Sequence, residues 1–257
     1  MTTIMLIHGA WLNAACWEHW KPHYEAKGHN VVAPSWPYDD RPVAELNANP
    51  DPRLVKSGHK AIIAHYAALI RDLPAPPILI GHSFGGVLVQ HLLDQGLGAC
   101  GVAIDPAPTP GVPLGPQAVI SALPVLIDPF GAKKLKRMSR PFFGRRFAQT
   151  LSKAEADAAY PRYIVPTAGK VYWDGIVEAA GQIAWNSTTR PPLLLIAGGK
   201  DLIADASMTR AIYNKQKRAS SATEFKLYPD RSHWTCMDKG WEDVADFVLG
   251  WALRQAA

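Results

Sequence analysis

Short apolar runs alternate with longer segments of helical periodicity along most of the chain. Runs of apolar or alternating character predict strands near 3–7, 30–33, 77–81, 101–105, 192–197 and 223–228. Apolar residues that recur at helical spacing predict helices near 13–27, 58–73, 84–96, 205–218 and 240–254. Such alternation is typical of a parallel sheet with helices on both faces. We therefore expect an α/β fold with a mainly parallel sheet of about six strands.

Two segments interrupt this alternation. Residues 34–57 contain five prolines, which predict a long irregular loop. Residues 106–190 begin with a proline-rich stretch and continue with short apolar and helical segments. The alternating pattern therefore occupies residues 1–105 and 191–257, and 106–190 is predicted to be an insertion between two strands.

The segment 81–86 reads Gly-His-Ser-Phe-Gly-Gly and connects a predicted strand to a predicted helix. A serine on such a sharp turn projects its Oγ above the sheet, where a base can reach it. Glycines flank it because larger side chains would clash in so tight a turn. One alternative is a turn without chemistry; another, a phosphate-binding turn, lacks a Walker lysine and the GxGxxG spacing. We predict that Ser83 is a nucleophile.

A serine hydroxyl needs a histidine base, and the histidine needs a carboxylate that fixes its tautomer. At a strand–turn–helix site of this kind, the acid and then the histidine follow the serine along the chain. Asp201 and His233 occur in this order, each just after a predicted strand, and His233 is the only histidine downstream of Asp201. Asp105, which also follows a strand, and Asp205, which can cap a helix, remain alternatives for the acid.

The loop after the first predicted strand spans residues 8–11 and reads His-Gly-Ala-Trp. A serine nucleophile requires preorganised N–H donors for the oxyanion of the tetrahedral intermediate. We predict that the Phe84 amide supplies one donor and that Ala10 supplies the other, with Trp11 as the alternative. His8 is predicted to hold the loop through hydrogen bonds rather than to transfer protons.

Four segments together, at 8–11, 81–86, 198–201 and 232–233, resemble the α/β-hydrolase superfamily. The resemblance is greatest to the small branch that includes esterases, methylesterases and hydroxynitrile lyases. These segments span nearly the whole chain in the family's order. The resemblance implies an α/β-hydrolase fold whose active site is covered by an inserted helical cap.

On this resemblance, residues 1–105 and 191–257 form the core domain and residues 106–190 form the cap or lid. The superfamily hosts many chemistries, so individual residues must decide the reaction. Ser83 argues against dehalogenases and epoxide hydrolases, which use aspartate at this position. Gly9 and Trp234 stand where the lyases of this branch carry a threonine and a lysine, which argues against the lyase reaction.

We therefore expect a serine hydrolase that cleaves a small carboxylic ester through an acyl-enzyme intermediate, without a cofactor. The alternatives are a carbon–carbon bond hydrolase or lyase with the same triad, or a non-catalytic ligand-binding receptor on this fold. His19 and His23 have helical spacing, but Pro22 lies between them and no third ligand is evident, so no metal site is predicted. Four of the nine tryptophans are expected to wall an apolar substrate pocket: Trp11, Trp36, Trp173 and Trp234.

The formal net charge is +5, and seven positive charges without an acid lie between residues 131 and 146. Without these seven the chain would carry −2, so the basic character is local to the insertion. A solvated helix face is the predicted role of the basic run 133–146, with an anionic substrate as the alternative. No aromatic-interleaved nucleic-acid motif accompanies the run, so no nucleic-acid partner is predicted.

No apolar run approaches 18 residues, so no membrane span is predicted. The chain opens on a strand, which leaves no room for a signal peptide. Its three cysteines are therefore interpreted as free thiols in the cytoplasm. A homo-oligomer is compatible with the sequence.

Overall fold

The computed structural model describes residues 2–256 and contains a sheet of six parallel strands. The strand order is β2-β1-β3-β4-β7-β8. Each predicted strand forms within two residues of its expected bounds, which confirms the predicted sheet. The strands are Thr3–Ile7 (β1), Asn30–Val32 (β2), Ile78–His82 (β3), Cys100–Ile104 (β4), Leu193–Gly198 (β7) and Thr223–Tyr228 (β8).

Helices connect the strands of this sheet. Of the six helices that the described residues form outside the insertion, five are Trp20–Glu25 (α1), Val43–Ala48 (α2), His59–Arg71 (α3), Phe84–Asp94 (α4) and Ala206–Gln216 (α9). A sixth, Trp241–Gln255 (α10), lies near the end of the chain. Short 3-10 turns occupy Ala14–Trp17, Pro52–Lys56 and Gly131–Lys133.

Helices cover both faces of the sheet, as adjacent residues of β4 demonstrate. A Cβ on Gly101 would lie 2.6 Å from Cγ1 of Val89, so this residue faces α4. The thiol of Cys100 donates to the carbonyl of Ala252 in α10 at 3.5 Å. Neighbouring residues of a strand point to opposite faces, so α4 and α10 pack on opposite sides of β4. The central strands β3 and β4 are buried throughout, which explains why they read as continuous apolar runs.

Two details differ from the predicted elements. The helix predicted at 13–27 is divided into a 3-10 turn and α1, since Pro22 has no N–H to bond back across the junction and is tolerated only in the first turn of α1. The loop predicted at 34–57 contains α2 and a 3-10 turn. Pro42 precedes α2, and the Asp51 side chain accepts a hydrogen bond from Arg53 N to cap the turn.

Residues 106–190 lie between β4 and β7 and contain four helices and a small antiparallel pair. The helices are Pro116–Leu126 (α5), Arg140–Phe142 (α6), Lys153–Tyr163 (α7) and Lys170–Ile176 (α8). A π-helical turn, Phe143–Phe147, follows α6. The antiparallel pair is Leu135–Lys136 (β5) with Thr167–Ala168 (β6). Among the described residues, no helix is long and apolar enough to cross a membrane.

Candidate active site

Ser83 occupies a sharp turn between β3 and α4. Its φ is +56° and its ψ is −122°, which is rare for a residue with a Cβ and marks local backbone strain. The turn is so tight that a Cβ on Gly81 would lie 2.2 Å from the carbonyl oxygen of Gly85. A Cβ on Gly85 would lie 2.2 Å from the carbonyl oxygen of Ile7 in β1. Glycine is therefore required at both positions, and together they set the Ser83 side chain at the carboxyl edge of the sheet.

Ser83, His233 and Asp201 form a continuous hydrogen-bonded chain. The Nε2 of His233 is 2.9 Å from Ser83 Oγ, and the Nδ1 of His233 is 2.6 Å from Asp201 Oδ2. A carboxylate only accepts, so Nδ1 carries the proton and Nε2 is free to accept from the serine hydroxyl. The other Asp201 oxygen accepts from the backbone N–H groups of Ile203 and Ala204 at 2.6 and 2.9 Å. These hydrogen bonds fix the orientation of the carboxylate, and the carboxylate in turn fixes the tautomer of His233.

The charge on His233 is governed by two carboxylates. Its side chain is completely buried, and burial alone would lower its pKa. The negative charge and hydrogen bond of Asp201, with a smaller contribution from Asp105, outweigh this and raise the His233 pKa above its ordinary value. The surroundings therefore favour the imidazolium that forms when the histidine accepts a proton.

Asp105 lies close to this chain without taking the place of Asp201. Its Oδ1 accepts a hydrogen bond from Gly198 N at 2.6 Å, at the end of β7, and a carboxylate oxygen lies within 4.8 Å of a His233 ring nitrogen. Burial, and then repulsion from Asp201, raise its pKa to about 7. Asp205 instead caps α9, where its side chain accepts from Met208 N at 3.1 Å. Of the three aspartates weighed from the sequence, only Asp201 contacts the His233 ring at hydrogen-bond distance.

The loop at 8–11 lies directly against the serine. A Cβ on Gly9 would lie 2.7 Å from the Cβ of Ser83, so the loop can approach the serine only because this residue is glycine. His8 holds the loop, as predicted: its Nδ1 donates to the Gly9 carbonyl at 3.0 Å and its Nε2 accepts from Trp36 N at 3.1 Å. Burial lowers the pKa of His8 to about 4, so it stays neutral. Phe84 is the first residue of α4, where backbone N–H groups lack helical partners.

A cavity of about 290 Å³ opens beside Ser83, and both Ala10 and Phe84 line it. Its wall is largely apolar, and most of its polar side chains already have hydrogen-bond partners. Thr109 Oγ1 accepts from Gln90, Ser121 Oγ donates to the Leu202 carbonyl, and His59 Nε2 donates to the Val171 carbonyl. Of the described lining residues, only Glu178 is charged.

The insertion supplies much of this cavity and also contacts the histidine. Residues 107–126 and 171–178 contribute most of the apolar wall. The Phe147 ring packs edge-on against the His233 ring, with centroids 4.7 Å apart. Thr150 Oγ1 is 2.8 Å from Ser232 Oγ and donates to Asp238 at 2.6 Å, which ties the insertion to the loop that carries His233.

Of the four tryptophans predicted to wall the pocket, only Trp11 lines the cavity. Trp36 stacks on His8 with ring centroids 4.9 Å apart, so it lies behind the loop at 8–11. Trp234 is buried between Phe143 and Tyr163.

Trp173, which was also predicted to wall the pocket, is not among the residues that line this cavity. It lies one residue beyond Tyr172 on α8, and successive helical side chains diverge by about 100°. Trp173 therefore faces Gly131, whose Cβ would lie 2.9 Å from its Nε1, and Tyr172 lines the cavity in its place.

Phe147 and His59 also line the cavity, and neither was predicted from the sequence. Phe147 follows a pair of arginines in a segment without clear periodicity, so nothing local distinguishes it from a core residue. His59 is the first residue of α3. Its position at the amino end of a predicted helix near the sheet edge was the one feature of the sequence that could have indicated a cavity residue.

Three buried side chains bring potential metal ligands close together. His82, Asp105 and His233 each place one potential ligand atom within 4.8 Å of the others. However, both nitrogens of His233 contact Asp201 or Ser83, and Nε2 of His82 donates to the His233 carbonyl at 2.9 Å. A metal would have to break the hydrogen-bonded chain, so this cluster fits hydrogen bonding better than metal binding. Among the described residues, His19 and His23 belong to no such group, and His23 Nε2 lies 2.6 Å from Asp246 Oδ1.

Comparisons with known proteins place these features in a family. Residues 4–247 match a family model described as the alpha/beta hydrolase family. No curated protein sequence matches the chain. A monoacylglycerol lipase of Paleococcus ferrophilus has a similar structure, with a TM-score of 0.69 and 18% identity over 98% of this chain and 94% of that one.

Two further solved structures share the fold along nearly the full length of both chains. The methylesterase MES16 of Arabidopsis gives a TM-score of 0.67 at 12% identity, covering 99% of this chain and 100% of that one. A pyrethroid hydrolase of Sphingobium faniae gives 0.66 at 17% identity, covering 99% and 98%. At these identities the likeness establishes the fold, and the reaction has to be argued from the site.

Proposed function

The chain belongs to the α/β-hydrolase family, and we propose that it is a serine hydrolase that cleaves small, neutral carboxylic esters. The observation that carries the proposal is the hydrogen-bonded chain from Ser83 through His233 to Asp201 at the edge of an apolar cavity. A ligand-binding protein would have no need for a serine aligned on a histidine whose tautomer is fixed by a carboxylate.

Acylation begins when Ser83 Oγ attacks the ester carbonyl carbon. The Nε2 of His233 removes the hydroxyl proton, and the imidazolium is stabilised by Asp201. The carbonyl oxygen becomes an oxyanion that accepts hydrogen bonds from the backbone N–H groups of Phe84 and Ala10. When the tetrahedral intermediate collapses, the carbon–oxygen bond to the alcohol breaks and His233 gives its proton to the departing alkoxide.

Deacylation repeats these steps with water as the nucleophile. His233 removes a proton from the water as it attacks the acyl-enzyme carbonyl, and the second tetrahedral intermediate forms. Its collapse breaks the bond to Ser83 Oγ, which takes the proton back from His233. The carboxylic acid then leaves, and the protein returns to its starting state without a cofactor.

We infer that the insertion 106–190 acts as a cap over this chemistry. Phe147 covers one face of His233, and Tyr172 and residues of α5 wall the cavity. An apolar cover excludes bulk water and strengthens the electrostatic interactions within the site.

The cysteines Cys16, Cys100 and Cys236 are all buried free thiols, which favours a cytoplasmic location.

The size and the apolar wall of the cavity favour a small, neutral ester as the substrate. The cavity volume of about 290 Å³ lies near the lower end of the range for small-molecule sites, roughly 300–1,000 Å³. The test is a screen of p-nitrophenyl esters with acyl chains of graded length. We expect hydrolysis of the short-chain esters, and a chain that hydrolyses none of the series would contradict the proposal.

A negative charge on the acyl group should weaken catalysis. No lysine or arginine is among the described residues that line the cavity, and Glu178 is already there. An ionised carboxylate that loses water without gaining a cation is strongly disfavoured. We expect kcat/KM for p-nitrophenyl hemisuccinate to be lower than that for the butyrate by about tenfold or more.

The basic run provides the control for this comparison. Replacement of Lys133, Lys134, Lys136 and Arg137 with Gln should leave the butyrate-to-hemisuccinate ratio unchanged at any ionic strength, because these residues lie outside the cavity wall. A salt-sensitive loss confined to the hemisuccinate would instead show that the run steers anionic esters into the site.

The pH profile of kcat/KM should depend on the negative charge of the Asp105 carboxylate. His233 must be neutral at Nε2 to act as a base, so kcat/KM rises with pH through the pKa of His233. The Asp105 carboxylate helps to raise that pKa. Asp105→Asn removes this charge, so the acid limb of the profile should move to lower pH while the rate on the plateau stays close to that of the unmodified protein.

Asp205→Asn is the matched control for the pH profile, since Asp205 also follows β7 but caps α9. Its acid limb should coincide with that of the unmodified protein. A limb that stays in place in Asp105→Asn, or moves to higher pH, would rule out an electrostatic influence of Asp105 on the base.

A further inference from the structure

The exposed apolar side chains of this molecule are concentrated on the insertion. Ten large apolar residues of the described chain are exposed, and eight of them lie between residues 114 and 177. Ile127, Phe130 and Val177 are the most exposed, at 70%, 64% and 68%. Six of the eight define what we call the apolar patch: Val119, Ile120, Leu123, Ile127, Phe130 and Val177.

The apolar patch consists mainly of the outer face of α5, together with Phe130 after this helix and Val177 after α8. Ile120, Leu123 and Ile127 follow one another at helical spacing and point outward. The opposite face of the helix, with Ala118, Ser121 and Val125, is buried. Helix α5 packs against α8, and Val177 lies just beyond the end of α8. A concentration of exposed apolar side chains of this kind is typical of an interaction site.

The basic run 133–146 begins where the apolar patch ends. Phe130 leads directly into the 3-10 turn Gly131–Lys133, and Nζ of Lys134 lies 5.9 Å from the centroid of the Phe130 ring. The acid at this edge, Asp128, is paired with Lys134 and Lys136 at 2.9 and 2.8 Å. Lys133 is exposed beside them. At this edge, three lysines surround one acid, so positive charge borders this side of the patch.

We propose that the apolar patch and the basic run together bind the surface of an anionic lipid bilayer. The apolar side chains of α5 would enter the boundary between headgroups and acyl chains, and the lysines would contact lipid phosphates. A second copy of the chain is the less favourable occupant. Two patches facing each other would bring two sets of Lys133, Lys134 and Lys136 together, whereas an anionic bilayer supplies the opposite charge.

The apolar patch also adjoins the mouth of the cavity. Leu114 and Ile176 are both exposed, and both line the cavity. A protein seated through the patch would therefore turn the entrance of its cavity toward the lipid. This binding goes beyond the proposed hydrolysis and requires no catalytic step.

The test is co-sedimentation with vesicles of phosphatidylcholine alone and of phosphatidylcholine with phosphatidylglycerol. We expect the protein to bind the anionic vesicles more tightly than the neutral ones, and the difference to shrink as salt rises. The triple variant Ile127→Ser, Phe130→Ser, Val177→Ser should lose about tenfold or more of its partition coefficient on both vesicle types. Lys133→Gln with Lys134→Gln should lose about tenfold on the anionic vesicles only.

Matched controls remove comparable side chains elsewhere on the surface. Tyr38→Ser with Leu227→Ser removes exposed apolar residues outside the insertion. Lys56→Gln with Lys153→Gln removes two exposed lysines away from the patch. Both double variants should bind vesicles as the unmodified protein does. All these side chains are exposed, so thermal unfolding should show that each variant remains folded.

Three outcomes would overturn the proposal: no binding of the unmodified protein to anionic vesicles, binding that the serine triple variant retains, or equal losses in the controls. A dimer that the triple variant converts to a monomer, without vesicle binding, would assign the apolar patch to a second copy of the chain. The Ser83→Ala protein should bind vesicles normally. A failure of lipid binding can therefore be distinguished from a failure of the proposed hydrolysis.

Discussion

Ser83→Ala should lower the kcat of ester hydrolysis by several orders of magnitude. The substitution removes only the hydroxyl group, whose oxygen lies 2.9 Å from His233 Nε2. A remainder of the rate enhancement should persist, since the N–H donors and the apolar cavity would still bind the transition state for attack by water. Steady-state assays with p-nitrophenyl butyrate measure the loss.

The control for this variant is Ser207→Ala, which removes an exposed hydroxyl at the start of α9. It should leave kcat unchanged. Both variants should unfold at temperatures close to that of the unmodified protein, because neither substitution removes buried apolar surface. Near-normal hydrolysis by a folded Ser83→Ala protein would show that another group is the nucleophile.

Asp201→Asn should lower kcat by about 10³ to 10⁴ while keeping the shape of the side chain. An amide can present its N–H₂ group to His233 Nδ1, which would favour the tautomer that carries its proton on Nε2. That tautomer cannot accept the Ser83 proton. The lost negative charge would also leave the imidazolium less stable in a fully buried site.

Asp205→Asn is again the matched control, because asparagine also caps helices well, and its kcat should be unchanged. Asp105→Asn should cost far less than Asp201→Asn at a pH on the plateau. If Asp105→Asn proved the more damaging of the two, the orienting acid would be Asp105, and the contact between Asp201 and His233 would be structural.

The sheet and the serine turn could be predicted because their signals are local. Buried parallel strands are continuous apolar runs, and the glycines of 81–86 are required by contacts within the turn or with the adjacent strand. The choice among the aspartates is not local. Asp105 and Asp201 both follow strands, and β4 pairs with β7, so the two carboxylates lie close enough to repel each other. Only the three-dimensional arrangement shows which of the two contacts the histidine.

The cavity wall was predicted less well because side-chain direction depends on tertiary packing. Trp173 and Tyr172 are neighbours in the sequence, yet α8 turns one toward Gly131 and the other into the cavity. Trp36 lies next to the loop at 8–11 but stacks behind it on His8. Phe147 reaches His233 from a part of the insertion where composition alone gave no reason to expect a contact.

The central claim is that Ser83 is an activated nucleophile, and covalent labelling with a fluorophosphonate tests it most directly. The reagent reacts with serines whose hydroxyl is activated by a neighbouring base, and the adduct is located by mass spectrometry of the intact protein and of its peptides. We predict one adduct per chain, on Ser83, with labelling much slower in Asp201→Asn and absent in Ser83→Ala. A chain that stays unlabelled, or that is labelled at another residue in the folded protein, would contradict the account.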